Sequence, residues 1–154
     1  MARRVFFSFD YDDIWIVSQI RNIGTFETEN QFLDHAEIEQ IKRSTEGQIK
    51  QWIDKQMTGA SVTCVLIGEN THTSKWVKYE IQQSNLTKKG LLGIYIHKFK
   101  NKHGTTSNKG VNPITVHGVK SYDPSIECPY STAYECVSDN INKWIEYAAK
   151  QVGR

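Results

Sequence analysis

Between Ser61 and Leu86 the hydrophobic period of the chain changes once. Val62 to Ile67 is a nearly unbroken run of β-branched and aliphatic residues closed by Gly68. That pattern predicts a strand buried on both faces, and hence a parallel sheet. From Ser74 to Leu86 the period is helical, and Val77 and Ile81, one turn apart, mark the side that packs back onto the strand. Trp76 and Glu80 form a second i, i+4 pair. At about 100° per residue, Trp76 stands roughly 100° and Glu80 roughly 60° around the axis from Val77. Both therefore belong to the shoulder between core and solvent, where a helix can wall a cleft.

The same reading extends in both directions. Val5 to Phe9 is a strand, apolar except for Ser8, and it runs into Asp10-Tyr11-Asp12-Asp13. Asp10 or Asp12 can cap the helix expected over Asp13 to Asn22, and acidic residues there suit the helix dipole. Gly24 to Arg43 has scattered apolar residues without a sustained period, which predicts a loop carrying a short helix or a degenerate second strand, with His35 on the surface. Thr45 and Gln48 form a capping box for a helix whose apolar face is Ile49, Trp52, Ile53 and Met57, with Trp52 in the core. Lys88-Lys89-Gly90 breaks the central helix, and Leu91 to His97 is another apolar strand. Residues 98–112 are polar and glycine-rich, too long for an ordinary connection, and are read as a flexible loop or a lid. Ile114 to Val119 is taken as the last short strand and Tyr122 to Tyr130 as a turn-rich link. Thr132 with Glu135 then opens a helix through Lys150 that turns Val137, Ile141, Trp144, Ile145 and Ala148 inward.

Strands alternating with helices give a three-layer α/β fold, a central parallel sheet covered on both sides in flavodoxin-like order. With 154 residues and no repeat or linker, a single domain over 1–154 is expected. A net charge of +2 from 19 basic and 17 acidic residues argues against nucleic acid and anionic membranes as partners. Cys64, Cys128 and Cys136 lack the paired short spacing of a zinc site and read as reduced thiols, so no metal is expected. No apolar run nears the roughly 20 residues that span a bilayer, and the first residues do not resemble a signal peptide. A cytoplasmic protein is the expectation.

This scaffold serves many chemistries, so the site must decide. A flavodoxin needs a Ser/Thr/Gly loop after its first strand, where this chain has Phe9-Asp10-Tyr11-Asp12-Asp13. A phosphoacceptor receiver would use Asp12 and Asp13, but it also needs an aspartate ending its third strand, and here Ile67 is followed by Gly68 and Glu69. No phosphate-binding glycine fingerprint, metalloprotease motif or serine elbow is present. Taken on its own, the spacing of Trp76 and Glu80 is by default that of a packed aromatic and a solvated carboxylate.

The segments Arg3-Arg4-Val5-Phe6-Phe7-Ser8-Phe9-Asp10-Tyr11, Gly47 to Gly68, Trp76 to Ile81 and Lys88 to His97 together resemble the TIR-like family of bacterial antiphage defence, notably the TIR-like component of Thoeris systems. The resemblance covers Arg3 to His97 well and the remainder loosely. It implies an enzyme that cleaves NAD, with NAD as substrate and no cofactor, releasing nicotinamide and forming a cyclic ADP-ribose-type signal for a separate effector. It further implies a phage-derived activator and a site completed across a subunit contact in a homo-oligomer. The matching catalytic carboxylate is Glu80, and Trp76 takes the position of the family's aromatic. By the same resemblance, Ser8, Phe9, Asp10 and Tyr11 line the nucleotide pocket and Asn112, in Gly110-Val111-Asn112-Pro113, stands at its rim. The competing reading is a non-catalytic TIR-like scaffold acting through protein contacts, with Glu80 an ordinary surface or capping carboxylate.

Overall fold

A computed structural model describes residues 3–23, 27–28 and 43–154. Its strands are β1 (Arg4–Ser8), β2 (Glu27–Thr28), β3 (Val62–Ile67), β4 (Gly90–Tyr95) and β5 (Ser121–Tyr122). They lie in the order β2-β1-β3-β4-β5, and every neighbouring pair is parallel. The expected flavodoxin-like order is the one found. The helices are α1 (Ile14–Arg21), α2 (Glu46–Met57), α3 (Lys75–Leu86), α4 (Pro124–Glu127) and α5 (Ala133–Gln151).

Strand alternation divides the core into two faces. Val5, Phe7, Val62, Cys64, Leu66, Leu92 and Ile94 face α1 and α5, which contribute Ile16, Val17 and Ile20, and Val137, Ile141, Trp144 and Ile145. Tyr122 stacks on Trp144 there, ring centroids 4.3 Å apart. The other face carries Val65, Ile67 and Leu91 against Val77 and Ile81 of α3, and Phe6 against Ile53 and Met57 of α2. Three layers result, held by a β3 that is buried at every position, as its unbroken apolar run requires.

Several boundaries depart from the sequence reading. A 3-10 turn over Tyr11–Asp13 precedes α1, and Asp10 rather than Asp12 caps it, its side chain accepting from the Asp12 amide. The capping box at Thr45 and Gln48 forms in full, but Trp52 is only half-buried at the edge of its cluster. The strand expected over Ile114 to Val119 is instead a 3-10 turn at Thr115–His117, ended by Gly118 at φ 66°. The cause is local: the Asn112 side-chain oxygen accepts from the Ile114 amide at 2.8 Å, turning the chain at Pro113 before it can pair. Pairing with β4 begins only at Ser121.

Residues 98–112 form an anchored strap. Asn101 accepts from the His103 and Thr105 amides in a tight turn. The Ser107 amide then donates to His97 O at 3.1 Å, and Lys109 bridges to Asp123 at 2.9 Å. The expected reduced thiols are also corrected: Cys128 and Cys136 form a disulfide, because the turn after α4 brings their Cα atoms to 5.7 Å, and Cys64 alone is free and buried. The cysteines therefore no longer argue for a reducing compartment. Of the stretch 24–43, the pair Glu27–Thr28 forms the short β2 beside β1. The possible helix and the surface placement of His35 fall outside the described residues. Among the described residues, no helix is long and apolar enough to cross a membrane.

Candidate active site

In this strand order the direction of progression reverses between β1 and β3, which leaves a crevice at their carboxyl ends where open α/β sheets bind ligands. Thr71 shapes the turn there: its hydroxyl accepts from the Gly68 amide at 2.8 Å and donates to Leu66 O at 3.3 Å. Ser74 then caps α3, accepting from the Val77 amide. The rotation of α3 about its axis is fixed by Val77 and Ile81 in the core and by Ser84, whose hydroxyl lies 2.7 Å from both Thr63 Oγ1 and Glu80 O.

That rotation carries Glu80 farther inward than its position on the helical wheel suggests. Its side chain reaches β1, where the Ser8 hydroxyl donates to Glu80 Oε1 at 2.7 Å. Only 8% of Glu80 is exposed, so the expected shoulder position is corrected to a buried one. The reason is that β1 supplies a hydroxyl on the same face as Phe6, and a buried carboxyl needs such a partner. Burial pushes the Glu80 carboxyl up to about 8, while the Ser8 hydrogen bond acts in the opposite direction.

Trp76, one turn closer to the crevice, is half-buried. It packs beside Phe6, Ile53, Met57 and Ala60, meets Tyr79 edge-on at 6.0 Å, and has Lys75 Nζ 5.2 Å from its ring centroid. The shoulder position expected for Trp76 is thus the one found: the apolar cluster supports it on one side and the residue stays partly exposed.

The remaining candidates separate. Ser8 joins Glu80, and Asp10 is committed to the turn that follows β1. Phe9 packs against the α1 and α5 face, opposite the one that carries Glu80. Tyr11 is half-buried at the start of the 3-10 turn. Asn112 donates to Ser121 Oγ at 2.9 Å as well as accepting from Ile114. Ser121, Gly93, Val65 and Ser8 form one register row across four strands, which puts Asn112's partner about 14 Å from Ser8 at the usual strand spacing. Asn112 therefore shapes the β5 side of the sheet and is not brought together with Glu80.

Other residues at the crevice carry no local sequence signal. The Asp13 carboxyl lies against Gly68, where a Cβ would overlap it. Burial first, then Asp10, Asp12 and Glu69, push it up to about 6. Gly110 of the strap lies against the Gly68 carbonyl with no room for a side chain, and the Asn108 amide donates to Glu69 at 3.2 Å. Farther along, Asp123 accepts from Lys109, which also lies 4.5 Å from the Tyr95 ring centroid, and faces the buried His97 at 3.9 Å. Burial pulls the His97 imidazole down against the pull of Asp123. A groove of about 500 Å³ opens beyond this cluster, between Lys98, Lys100, Ser125 and Tyr134. It does not include Glu80. Among the described residues no group of three or more His, Cys, Asp or Glu is placed to hold a metal ion.

Residues 6–101 match the model of the family described as Thoeris protein ThsB, TIR-like domain. The chain belongs to this family. The matched span contains Ser8, Trp76 and Glu80 and stops short of Asn112. Over 152 residues the chain is also 35% identical to the "Putative cyclic ADP-D-ribose synthase ThsB1" of Bacillus cereus (strain MSX-D12), covering 96% of this chain and 76% of the relative.

Proposed function

We propose that this TIR-like chain cleaves NAD, releases nicotinamide and forms a cyclic ADP-ribose-type nucleotide that signals to a separate effector in antiphage defence. The observation that carries the reading is the Glu80 carboxyl, seated where the strand order reverses and joined to Ser8 at 2.7 Å. The name of the Bacillus relative supports the product class. Breaking the bond from nicotinamide to ribose passes through a state resembling an oxocarbenium ion, which a nearby carboxylate stabilises directly or through the ribose hydroxyls. Nicotinamide departs neutral from a cationic ground state, so no second carboxyl has to protonate it. One carboxylate suffices, unlike the pair of ordinary glycoside hydrolysis. The partly exposed Trp76 is the aromatic on which a nicotinamide or adenine ring would stack, a contact worth about 0.5 to 1.5 kcal/mol beyond burial. Water as nucleophile would give linear ADP-ribose, and an atom of the adenosine half gives the cyclic product.

Burial holds the Glu80 carboxyl above its ordinary range, at about 8, which favours its neutral form near neutral pH. A free chain with little of the charge in place suits a resting enzyme. A phage-derived activator, or a subunit contact in a homo-oligomer, opens the crevice to water and substrate and lets Glu80 ionise. The test is to incubate the purified protein with NAD, alone and with extract from phage-infected cells, and resolve the products by chromatography. Nicotinamide and a cyclic isomer in the second sample, with little in the first, is the expected result. If neither sample yields nicotinamide, the scaffold reading replaces this one.

A further inference from the structure

Ser8 is the one buried polar residue of its strand, which otherwise holds Val5, Phe6, Phe7 and an exposed Arg4. It shares the face of Phe6, which packs with Ile53, Met57 and Ala60. At that position the side chain is fully buried, and a buried hydroxyl needs a hydrogen-bond partner. Its proton goes to Glu80 Oε1 at 2.7 Å. A hydroxyl whose one proton is committed to a carboxyl is not free to donate to a ribose.

We propose that Ser8 is a positioning residue for Glu80, orienting the carboxyl toward the crevice and stabilising its ionised form during NAD cleavage, instead of contacting the ribose itself. The inference rests on reading Glu80 as the catalytic carboxylate. An O–H donor bonded to an ionised carboxyl makes a bond roughly twice as strong as a neutral one, so the contact favours the charged form against burial. The surroundings leave this task to Ser8. On α3, Lys75 turns outward to Glu46 at 2.7 Å, Lys78 is exposed, and Tyr79 donates to Asp54. From β3, Thr63 accepts from Ser84. In the β1 to α1 turn and after β3, Asp10, Asp12 and Glu69 act on Asp13. Among the described residues, what acts on Glu80 is its burial and the Ser8 hydroxyl.

The experiment compares wild type, Ser8→Ala and Ser8→Cys, with Glu80→Gln as reference. Thermal unfolding establishes that each variant is folded. A carbon-13 titration of the glutamate carboxyls follows Glu80, recognised as the resonance that Glu80→Gln lacks, and needs no turnover. A hydrogen bond to a charged group is worth about 1.5–3 kcal/mol, so Ser8→Ala should raise the Glu80 midpoint by about one to two pH units. Ser8→Cys, with its weak S–H donor, should give a smaller rise, and it keeps the test alive if the alanine variant does not fold. In the activated enzyme the pH profile of nicotinamide release should move by the same interval. On the acid limb of that profile kcat/KM should fall about tenfold or more and return as the pH is raised, with KM unaltered. An unmoved Glu80 midpoint with a raised KM at every pH makes Ser8 a ribose contact and overturns the proposal, while an inert Glu80→Gln leaves the proposed function standing. A moved midpoint beside a fully active Glu80→Gln removes Glu80 from the chemistry, which overturns both.

Discussion

The two halves of the sheet hold their polar residues by different means. Under α3, a buried carboxyl meets one hydroxyl, and no charged group among the described residues acts on it: Glu80 on Ser8. Beyond β4, a carboxylate is surrounded by donors: Asp123 receives Lys109 and Ser125 and faces His97. The outcomes differ accordingly. Burial pushes Glu80 up to about 8. Burial also presses Asp123 upward, but the bonds from Ser125 and Lys109 hold it below the usual carboxylate range. The first arrangement stores a charge that has yet to form, and the second spends a settled charge on tying a strap to the sheet. A group kept neutral by its surroundings suits chemistry that must be switched on, and a fully paired one suits structure.

The largest effect should come from Glu80→Gln, which keeps shape and a polar partner for Ser8 but removes the ionisable group. Nicotinamide release in the activated enzyme should drop by about a thousandfold or more, read by chromatography. Stability should move the other way. The folded carboxyl holds its proton more tightly than the unfolded one, so wild type loses stability as pH rises from the ordinary glutamate range through about 8. Glu80→Gln should therefore unfold at a higher temperature than wild type at pH 9 and at nearly the same temperature at pH 4. A wild type no more sensitive to alkali than the variant would dissolve the contrast with Asp123.

Next in size is Trp76→Ala. Full burial would set the loss at about 3–5 kcal/mol, and a half-buried ring supported on Phe6 and Ile53 should lose about 2 kcal/mol, measured by urea denaturation. Catalytic efficiency should fall further than this loss explains, and Trp76→Phe should recover part of it. Kinetics unchanged in the folded variant would leave Trp76 a packing residue.

Gly110→Ala should lose about 1–3 kcal/mol, since the new Cβ meets the Gly68 carbonyl and the strap must move. Amide exchange should quicken at Asn108 and Ser107, whose bonds pin the strap. Exchange confined to wild-type rates would mean the strap is held elsewhere. Lys109→Ala should be the mildest, below about 1 kcal/mol because the lysine is half exposed. Salt titration, which should mask most of the difference, checks it.

Much of the α3 half was legible because its signals are local. The unbroken run Val62 to Ile67, the spacing of Val77 and Ile81, and the capping box at Thr45 and Gln48 each lie within one element. The pairing of Ser8 with Glu80 spans 72 residues, and no periodicity reports which side of a shoulder a neighbouring strand will close. The turn at Ile114 was missed because the Asn112 side chain overrides an apolar pattern. The strap was read as loose from its polar composition, although its anchors, Glu69, Asp123 and the Gly68 carbonyl, come from other elements. Trp52, read as core, straddles the boundary of its cluster, whereas Trp76 stands on the shoulder where its place on the helical wheel puts it.

Gly68 is clasped between the Asp13 carboxyl on one side and Gly110 on the other, and neither glycine has the positive φ that would exclude a side chain on its own account. Space alone excludes one. In a saturation library, then, any side chain should be disfavoured at both positions when changed singly, more so at Gly110, whose neighbour is backbone, than at Gly68, whose neighbour is a side-chain end. The tolerance of Gly68 should widen in a background where Asp13 is shortened to serine, and the tolerance of Gly110 should not. Such a map would trace three chain segments, far apart in sequence, as one unit of inheritance.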